Sequence, residues 1–336
     1  MNNIGLTFKG ESWAEIFEEI RKAMLTEAKT VPSRIGKTKE LLNPTIVLSN
    51  PRKRLFYNEH RTFNLAYALV EAFFLFNPQN YVSNFSFYNK RMSDYSDDGI
   101  HINSAYGYHI ADSLEELVNK LKEDSHTRQA VLNIYSTKYG VKMKTKDVPC
   151  TIALNFLIRD GKLNLTTYMR SNDLFWGLQY DLFMFTCLQE VIANELGLEM
   201  GYYIHCPTSL HVYDYHWELL EKINKENTED FGEFIFNYKI KEAVEASNKI
   251  IELANGTADS KYSYNDLKHF DLRTRACDIY TIYNAINPLV LVEIDGNIRN
   301  ENINEETKAN IEYIKNSPVS KYFKRWYKWT KSQSNI

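Results

Sequence analysis

Cys150 stands directly after Pro149 and opens an alternating run, Thr151–Ile158, while Arg170 and Ser171 close the next one, Lys162–Met169. Asp160-Gly161 between the runs is a strong hairpin signal, and a residue at the start of one strand lies beside the end of its antiparallel neighbour. The spacing therefore brings the thiol toward a guanidinium. Such a neighbour lowers a thiol pKa and supplies nucleophilic thiolate near neutrality. Two carboxylates accompany this pair. Glu71 sits inside the apolar run LAYALVEAFFLF, where an idle buried carboxylate is costly, so a working role is expected. Asp181 lies early in the long apolar stretch Leu174–Leu196. His211 and Tyr213 form a His-x-Tyr pair at the end of a further expected strand, Gly201–Tyr213.

The elements that must hold these residues are legible as a mixture of helices and non-alternating strands, which predicts an α+β domain. Residues 11–28 read as a helix with capping-box spacing at Ser12 and Glu15 and an apolar face of Trp13, Ile16, Phe17 and Ile20. A polar, basic loop, VPSRIGKTKELLNP, is expected next, then helices over 61–77 and 112–123 with an ordered loop at 81–108. RQAVLNIYS reads as a strand, 174–196 as a buried helix, and the segment after Tyr215 as a polar helix. Beyond residue 255 the chain is more polar, ending in KYFKRWYKWTK, which reads as packing plus a solvated basic face.

Length and composition set bounds. The 336 residues, 44% hydrophobic and 14% aromatic, suffice for a large core. A net charge of −3 gives no global field for nucleic acid, and direct nucleic-acid binding is not expected. No signal pattern or membrane-length apolar run is present in the sequence. The four cysteines, 150, 187, 206 and 277, show no metal-type spacing and are too few for a disulfide scaffold, so a cytoplasmic protein without a metal is expected. Cys187 and Cys206 read as core fillers.

Six ordered blocks over residues 33–216 resemble the thymidylate synthase family. They are SRIGKT, VEAFFLF, SDDG…SAYG, DSHTRQAVLNIY, PC…YMRSND-x-x-x-G and SLHVYDYH. The resemblance implies a thymidylate synthase-type fold, with a large twisted mixed sheet covered by helices and one sheet face used for dimerisation. It implies a catalytic domain over 1–255 and an extension over 256–336 packed on it. It also implies roles. Cys150 adds to ring position 6 of a pyrimidine nucleoside monophosphate, Glu71 relays protons, and Tyr106 belongs to the catalytic set. Arg34, Arg170, Ser171 and, across a homodimer, Arg128 hold the phosphate. His211 and Tyr213 hold the sugar, and Asp173 with Trp176 meets the folate co-substrate, 5,10-methylenetetrahydrofolate.

Departures from the family pattern narrow the expected activity. Thymidylate-making members carry asparagine where this chain has Asp181. A carboxyl group that shares a proton with ring nitrogen 3 suits cytosine, whereas a carboxylate facing uracil opposes acceptor to acceptor. Aspartate here resembles the dCMP hydroxymethylase branch, known from phages that modify their DNA, and a related branch acting on CMP. Thr151 replaces the usual histidine after the nucleophile, Trp176 and Gln179 replace small aliphatic and proline residues, Gln129 stands for a second arginine, and Ser209 falls near an expected aspartate. The family's folate-closing tail is not recognisable, and a site more open to water suits hydration. The expectation is a folate-dependent dCMP or CMP 5-hydroxymethylase. A methyl-transferring member, and a silent nucleotide- or RNA-binding relative, are the alternatives.

Overall fold

The computed structural model describes residues 3–255 except 62 and 143. The expected extension over 256–336, with Cys277 and the basic aromatic end, lies outside the described residues.

Among the described residues twelve strands run in chain order: β1 (Thr7–Gly10), β2 (Lys29–Ser33), β3 (Gly36–Leu42), β4 (Thr45–Leu48), β5 (Phe56–Asn58), β6 (Val131–Asn133), β7 (Thr151–Arg159), β8 (Lys162–Met169), β9 (Asn172–Asp173), β10 (Glu199–Pro207), β11 (Ser209–Tyr213) and β12 (Thr228–Asp230). The helices are α1 (Trp13–Thr26), α2 (Leu65–Phe74), α3 (Val82–Ser86), α4 (Met92–Tyr95), α5 (Tyr106–Ile110), α6 (Leu114–Glu123), α7 (Leu178–Leu196), α8 (Trp217–Lys222) and α9 (Ile240–Asn255).

A mixed six-stranded sheet in the order β1-β4-β10-β8-β7-β6 is the main layer, and a four-stranded sheet, β2-β3-β11-β9, adjoins it. The expected α+β fold with a large mixed sheet covered by helices is what the chain adopts. β7 and β8 form the expected hairpin. Asp160 and Gly161 both adopt positive φ, 52° and 70°, the left-handed pair that a two-residue turn of matching twist requires. The ladder pairs Thr151 with Met169, and the Arg170 N–H donates to the Cys150 carbonyl at 2.9 Å.

Two expectations are corrected. The basic segment around Arg34 is not a loop but a hairpin, β2–β3, with Arg34 at its exposed turn. Pro32 is tolerated there because β2 is an edge strand. Gly201–Tyr213 is not one strand but the greater part of two, β10 in the main sheet and β11 in the smaller, separated by Thr208.

Helix α7 is the structural axis. Fifteen of its residues are buried, which is what a helix apolar on nearly every side requires. It packs against α2, α6, α9 and the strands β8 and β10. α1 has the predicted capping box, with Ser12 Oγ accepting from the Glu15 N–H and Glu15 reaching back to the Ser12 N–H. Its face delivers Trp13 and Phe17 onto Phe56, and Phe17 also meets the ring of Phe175 beside the site. The Arg61 guanidinium lies over Phe17, Phe56 and Phe175 and donates to the Phe175 carbonyl at 2.9 Å. This cationic plug ties the start of α2 to the turn that precedes α7.

Among the described residues no helix is long and apolar enough to cross a membrane.

Candidate active site

One cavity of about 1030 Å³ lies between α2, α5, the start of α7, the β2–β3 turn and β11. Its size is at the upper end for small-molecule sites and leaves room for more than one ligand. Arg34, Glu71, Tyr106, Cys150, Arg170, Ser171, Asp173, Trp176, Asp181, His211 and Tyr213 all line it. Arg128 does not. It is exposed just before β6, outside the cavity of its own chain.

The hairpin register explains the thiol's position. Arg170 reaches back across it, Nε donating to the Pro149 carbonyl at 2.9 Å and Nη2 to the Val148 carbonyl at 2.8 Å. The same Nη2 lies 3.5 Å from Cys150 Sγ. The guanidinium thus straps the Pro-Cys segment and still has donors facing the cavity. Burial nevertheless pushes the Cys150 thiol above its ordinary value, with Arg170 pulling it down and Asp181 pushing it up further. The expectation that Arg170 supplies thiolate near neutrality is corrected here, because desolvation of the buried thiol outweighs the arginine.

Glu71 projects from α2, whose start is capped by Asn64 accepting from the Tyr67 N–H at 3.0 Å. Burial, followed by the negative charge of Asp181, pushes its carboxyl up to about 8, and a hydrogen bond from Tyr67 works the other way. Asp181, on the first turn of α7, is pushed up to about 7 by burial, against the pull of a hydrogen bond from Asn172 Nδ2 at 2.7 Å. The cavity therefore holds two carboxyl groups that burial raises toward neutrality, the range in which general acid–base work is done. Asp181 is moreover a neutral acid over much of the acidic range, with one donor and one acceptor. Treating it as a carboxylate alone is too narrow.

Tyr106 stacks on Phe185 of α7, ring centroids 5.8 Å apart, and burial raises its phenol well above the ordinary value. Gly107 lets α5 lie tight against the end of α2, since a Cβ there would lie 1.9 Å from the Phe74 carbonyl. His211 and Tyr213 alternate with buried Leu210 and Val212 along β11, so both face the cavity. Their rings meet edge to face at 5.2 Å.

Asp173 Oδ1 accepts from the N–H groups of Phe175 and Trp176, but among the described residues its buried Oδ2 has no partner. An orphaned acceptor beside the exposed Trp176 ring fits the donor-bearing edge and flat face of a pterin.

Sequence reasoning missed Tyr67 and Asn172. Tyr67 stands one helical turn before Glu71, a spacing that could have revealed it. Asn172 had no local signal, because its partners are distant in the chain. Among the described residues no group of three or more His, Cys, Asp or Glu side chains could hold a metal ion.

This α+β frame, with a thiol strapped by an arginine and two acids in one cavity, is that of a nucleotide-modifying family. The family model for thymidylate synthase matches residues 61–265, more than half of the chain, and the chain belongs to the thymidylate synthase family. It is similar to the deoxyuridylate hydroxymethyltransferase of Bacillus phage SP01, 33% identical over 238 residues, covering 65% of this chain and 62% of that protein. Likewise similar is the deoxyuridylate hydroxymethyltransferase of Pseudomonas phage M6, 31% identical over 186 residues, covering 53% of this chain and 52% of that protein. A putative thymidylate synthase of Methanosarcina acetivorans is 36% identical over 114 residues, covering 34% of this chain and 52% of that protein. The matched stretches thus span roughly half to three fifths of these relatives.

Proposed function

We propose that this chain is a pyrimidine-nucleotide 5-hydroxymethylase, and that its first substrate is a cytosine nucleotide, dCMP or CMP. The observation that carries the base assignment is Asp181, a buried acid titrating near neutrality in the cavity of the Cys150 thiol. Its O–H donates to ring nitrogen 3 and its other oxygen accepts from the exocyclic amine. As Cys150 Sγ bonds to carbon 6, the carbon 5–carbon 6 electron pair shifts toward nitrogen 3, which takes the Asp181 proton. Carbon 5 becomes the nucleophile. 5,10-Methylenetetrahydrofolate supplies a one-carbon unit at the oxidation level of formaldehyde. Glu71 receives the proton that carbon 5 gives up and holds the water that adds to the one-carbon unit. Expulsion of Cys150, with the nitrogen 3 proton returning to Asp181, then frees the 5-hydroxymethyl nucleotide, with tetrahydrofolate as the other product.

In this reading Arg34, Arg170 and Ser171 clamp the phosphate, with the fixed charge and planar fork of arginine giving two directed bonds. His211 and Tyr213 take a sugar hydroxyl, Tyr106 closes the ring pocket, and Asp173 and Trp176 meet the folate. Arg128 completes the clamp from a second copy in a homodimer. An exposed apolar face of the main sheet supports that assembly: Val131, Ile152, Tyr168 and Tyr202, from four strands, are each more than a third exposed. A reducing cytoplasm suits an enzyme that depends on a free thiol.

A second reading, action on deoxyuridylate, is favoured by the names of the phage relatives. A protonated Asp181 can serve uracil too, accepting from the ring N–H and donating to the carbonyl. The deciding experiment incubates the protein with dCMP, CMP or dUMP plus methylenetetrahydrofolate and identifies products by mass spectrometry. A hydroxymethyl cytosine nucleotide is expected. Hydroxymethyl-dUMP instead moves the assignment to the second reading, and a methylated product with dihydrofolate absorbance overturns hydroxymethylation. Exchange of tritium from carbon 5 is expected to vanish in Cys150→Ala, and equal exchange in the two proteins would refute covalent catalysis.

A further inference from the structure

We propose that His205 and Asn172 are positioning residues that set which base the site accepts, by fixing the hydrogen-bond polarity of Asp181. The inference rests on the reading above, that Asp181 meets the base. Three buried polar groups stand in series behind that acid. Asn172 Nδ2 donates to Asp181 Oδ2 at 2.7 Å, Asn172 Oδ1 lies 3.0 Å from His205 Nε2, and His205 Nδ1 lies 2.8 Å from the Tyr203 hydroxyl. Tyr203 and His205 are two apart on β10, so they point to the same face, and both have no exposed surface. Asn172 and Asp181 are at most 9% exposed.

Donor and acceptor roles in such a chain are interlocked. With the Asn172 amide nitrogen aimed at Asp181, its oxygen faces His205, so Nε2 carries the hydrogen. Nδ1 is then the lone pair that accepts from Tyr203. Burial holds the imidazole pKa down to about 3, so the ring is neutral and has one donor to give. At the other end, Oδ2 of Asp181 is engaged as an acceptor. A proton on the acid is thereby biased to Oδ1, leaving that oxygen to donate into the cavity.

The reverse chain is the one to exclude. It would place Nδ1–H on the imidazole, the amide nitrogen toward His205 and the Asp181 proton on Oδ2. That presents a pure acceptor to the base. Opposite ring nitrogen 3 cytosine offers an acceptor and uracil a donor, so whether Asp181 Oδ1 presents a donor or an acceptor there couples the imidazole tautomer, outside the cavity lining, to base choice. Gly177 guards the arrangement from the side: a Cβ there would come within 2.7 Å of Asn172 Nδ2.

The test compares kcat/KM for dCMP and dUMP in wild type, His205→Phe, His205→Gln and Tyr203→Phe. Wild type is expected to discriminate between the two. His205→Phe keeps the ring but loses the donor, and its discrimination ratio is expected to fall about tenfold. His205→Gln can still donate to Asn172 Oδ1 and should restore most of the ratio, which a merely structural role for the imidazole does not predict. Tyr203→Phe removes a single oxygen and should lower the ratio by about threefold, so the idea stays testable if the phenylalanine at 205 prevents folding. An unchanged ratio in every folded variant overturns the relay while leaving the hydroxymethylase reading intact. A wild type that turns over none of dCMP, CMP and dUMP overturns that reading and the relay with it.

Discussion

Helix α7 carries two buried acids nine positions apart, and their surroundings are opposites. Glu190 is held by Arg52 Nε at 2.7 Å, by the buried guanidinium of Arg54 and by the Phe236 N–H at 3.1 Å. Among the described residues Asp181 has one amide partner and no cation, and a cavity lies in front of it. The first carboxyl has its charge matched on the spot. The second is left underserved, so that its proton stays negotiable near neutrality. One helix thus anchors the fold at its middle and holds a reactive acid at its start.

The largest break in this comparison comes from the working acids. Glu71→Gln removes the proton acceptor beside Asp181, and turnover is expected to drop about 10²- to 10⁴-fold with nucleotide binding retained, measured by steady-state rates and calorimetry. Glu190→Ala should leave two guanidinium groups short of a partner and destabilise the fold by about 3–5 kcal/mol, read from denaturant unfolding.

Asp181→Asn should act in the opposite sense on stability. The native acid holds its proton up to about 7 while the unfolded chain releases it near 3.8. The folded state therefore binds more protons across that window, and wild-type stability falls as pH rises through it. An amide does not titrate. The variant should gain Tm relative to wild type between pH 5 and 8, and the gain should fade toward pH 4, as thermal melts across that range will show. The same substitution should shift preference from cytosine toward uracil nucleotides. The smallest effect is expected from Tyr67→Phe. It deletes a hydrogen bond that lowers the Glu71 pKa, so the acidic limb of the pH–rate profile should move to higher pH.

Much of this contrast was legible in the chain itself. Asp160-Gly161 between alternating runs announced the hairpin, and the hairpin alone brings Arg170 back to Cys150. The apolar setting of Glu71 announced a carboxyl under desolvation. What escaped was non-local. The β2–β3 hairpin is polar and edge-placed, and the strand that ties it into a sheet, β11, lies some 170 residues on, so Pro32 and Gly36 read as breakers. The net pKa of Cys150 depends on how deeply the fold sinks it, which no neighbour in sequence reports. Asn172 is linked to Asp181 and His205 across 9 and 33 residues, spacings with no helical or strand period.

The junction at Thr208 has a consequence for how this gene can vary. β10 ends at Pro207 and β11 begins at Ser209, so a single residue carries the chain from one sheet to the other. Beyond it, Leu210 and Val212 fill the interior while His211 and Tyr213 look into the cavity. Inserting or deleting one codon before β11 would exchange those two sets. Spelling in this stretch is open to change, but its length is not.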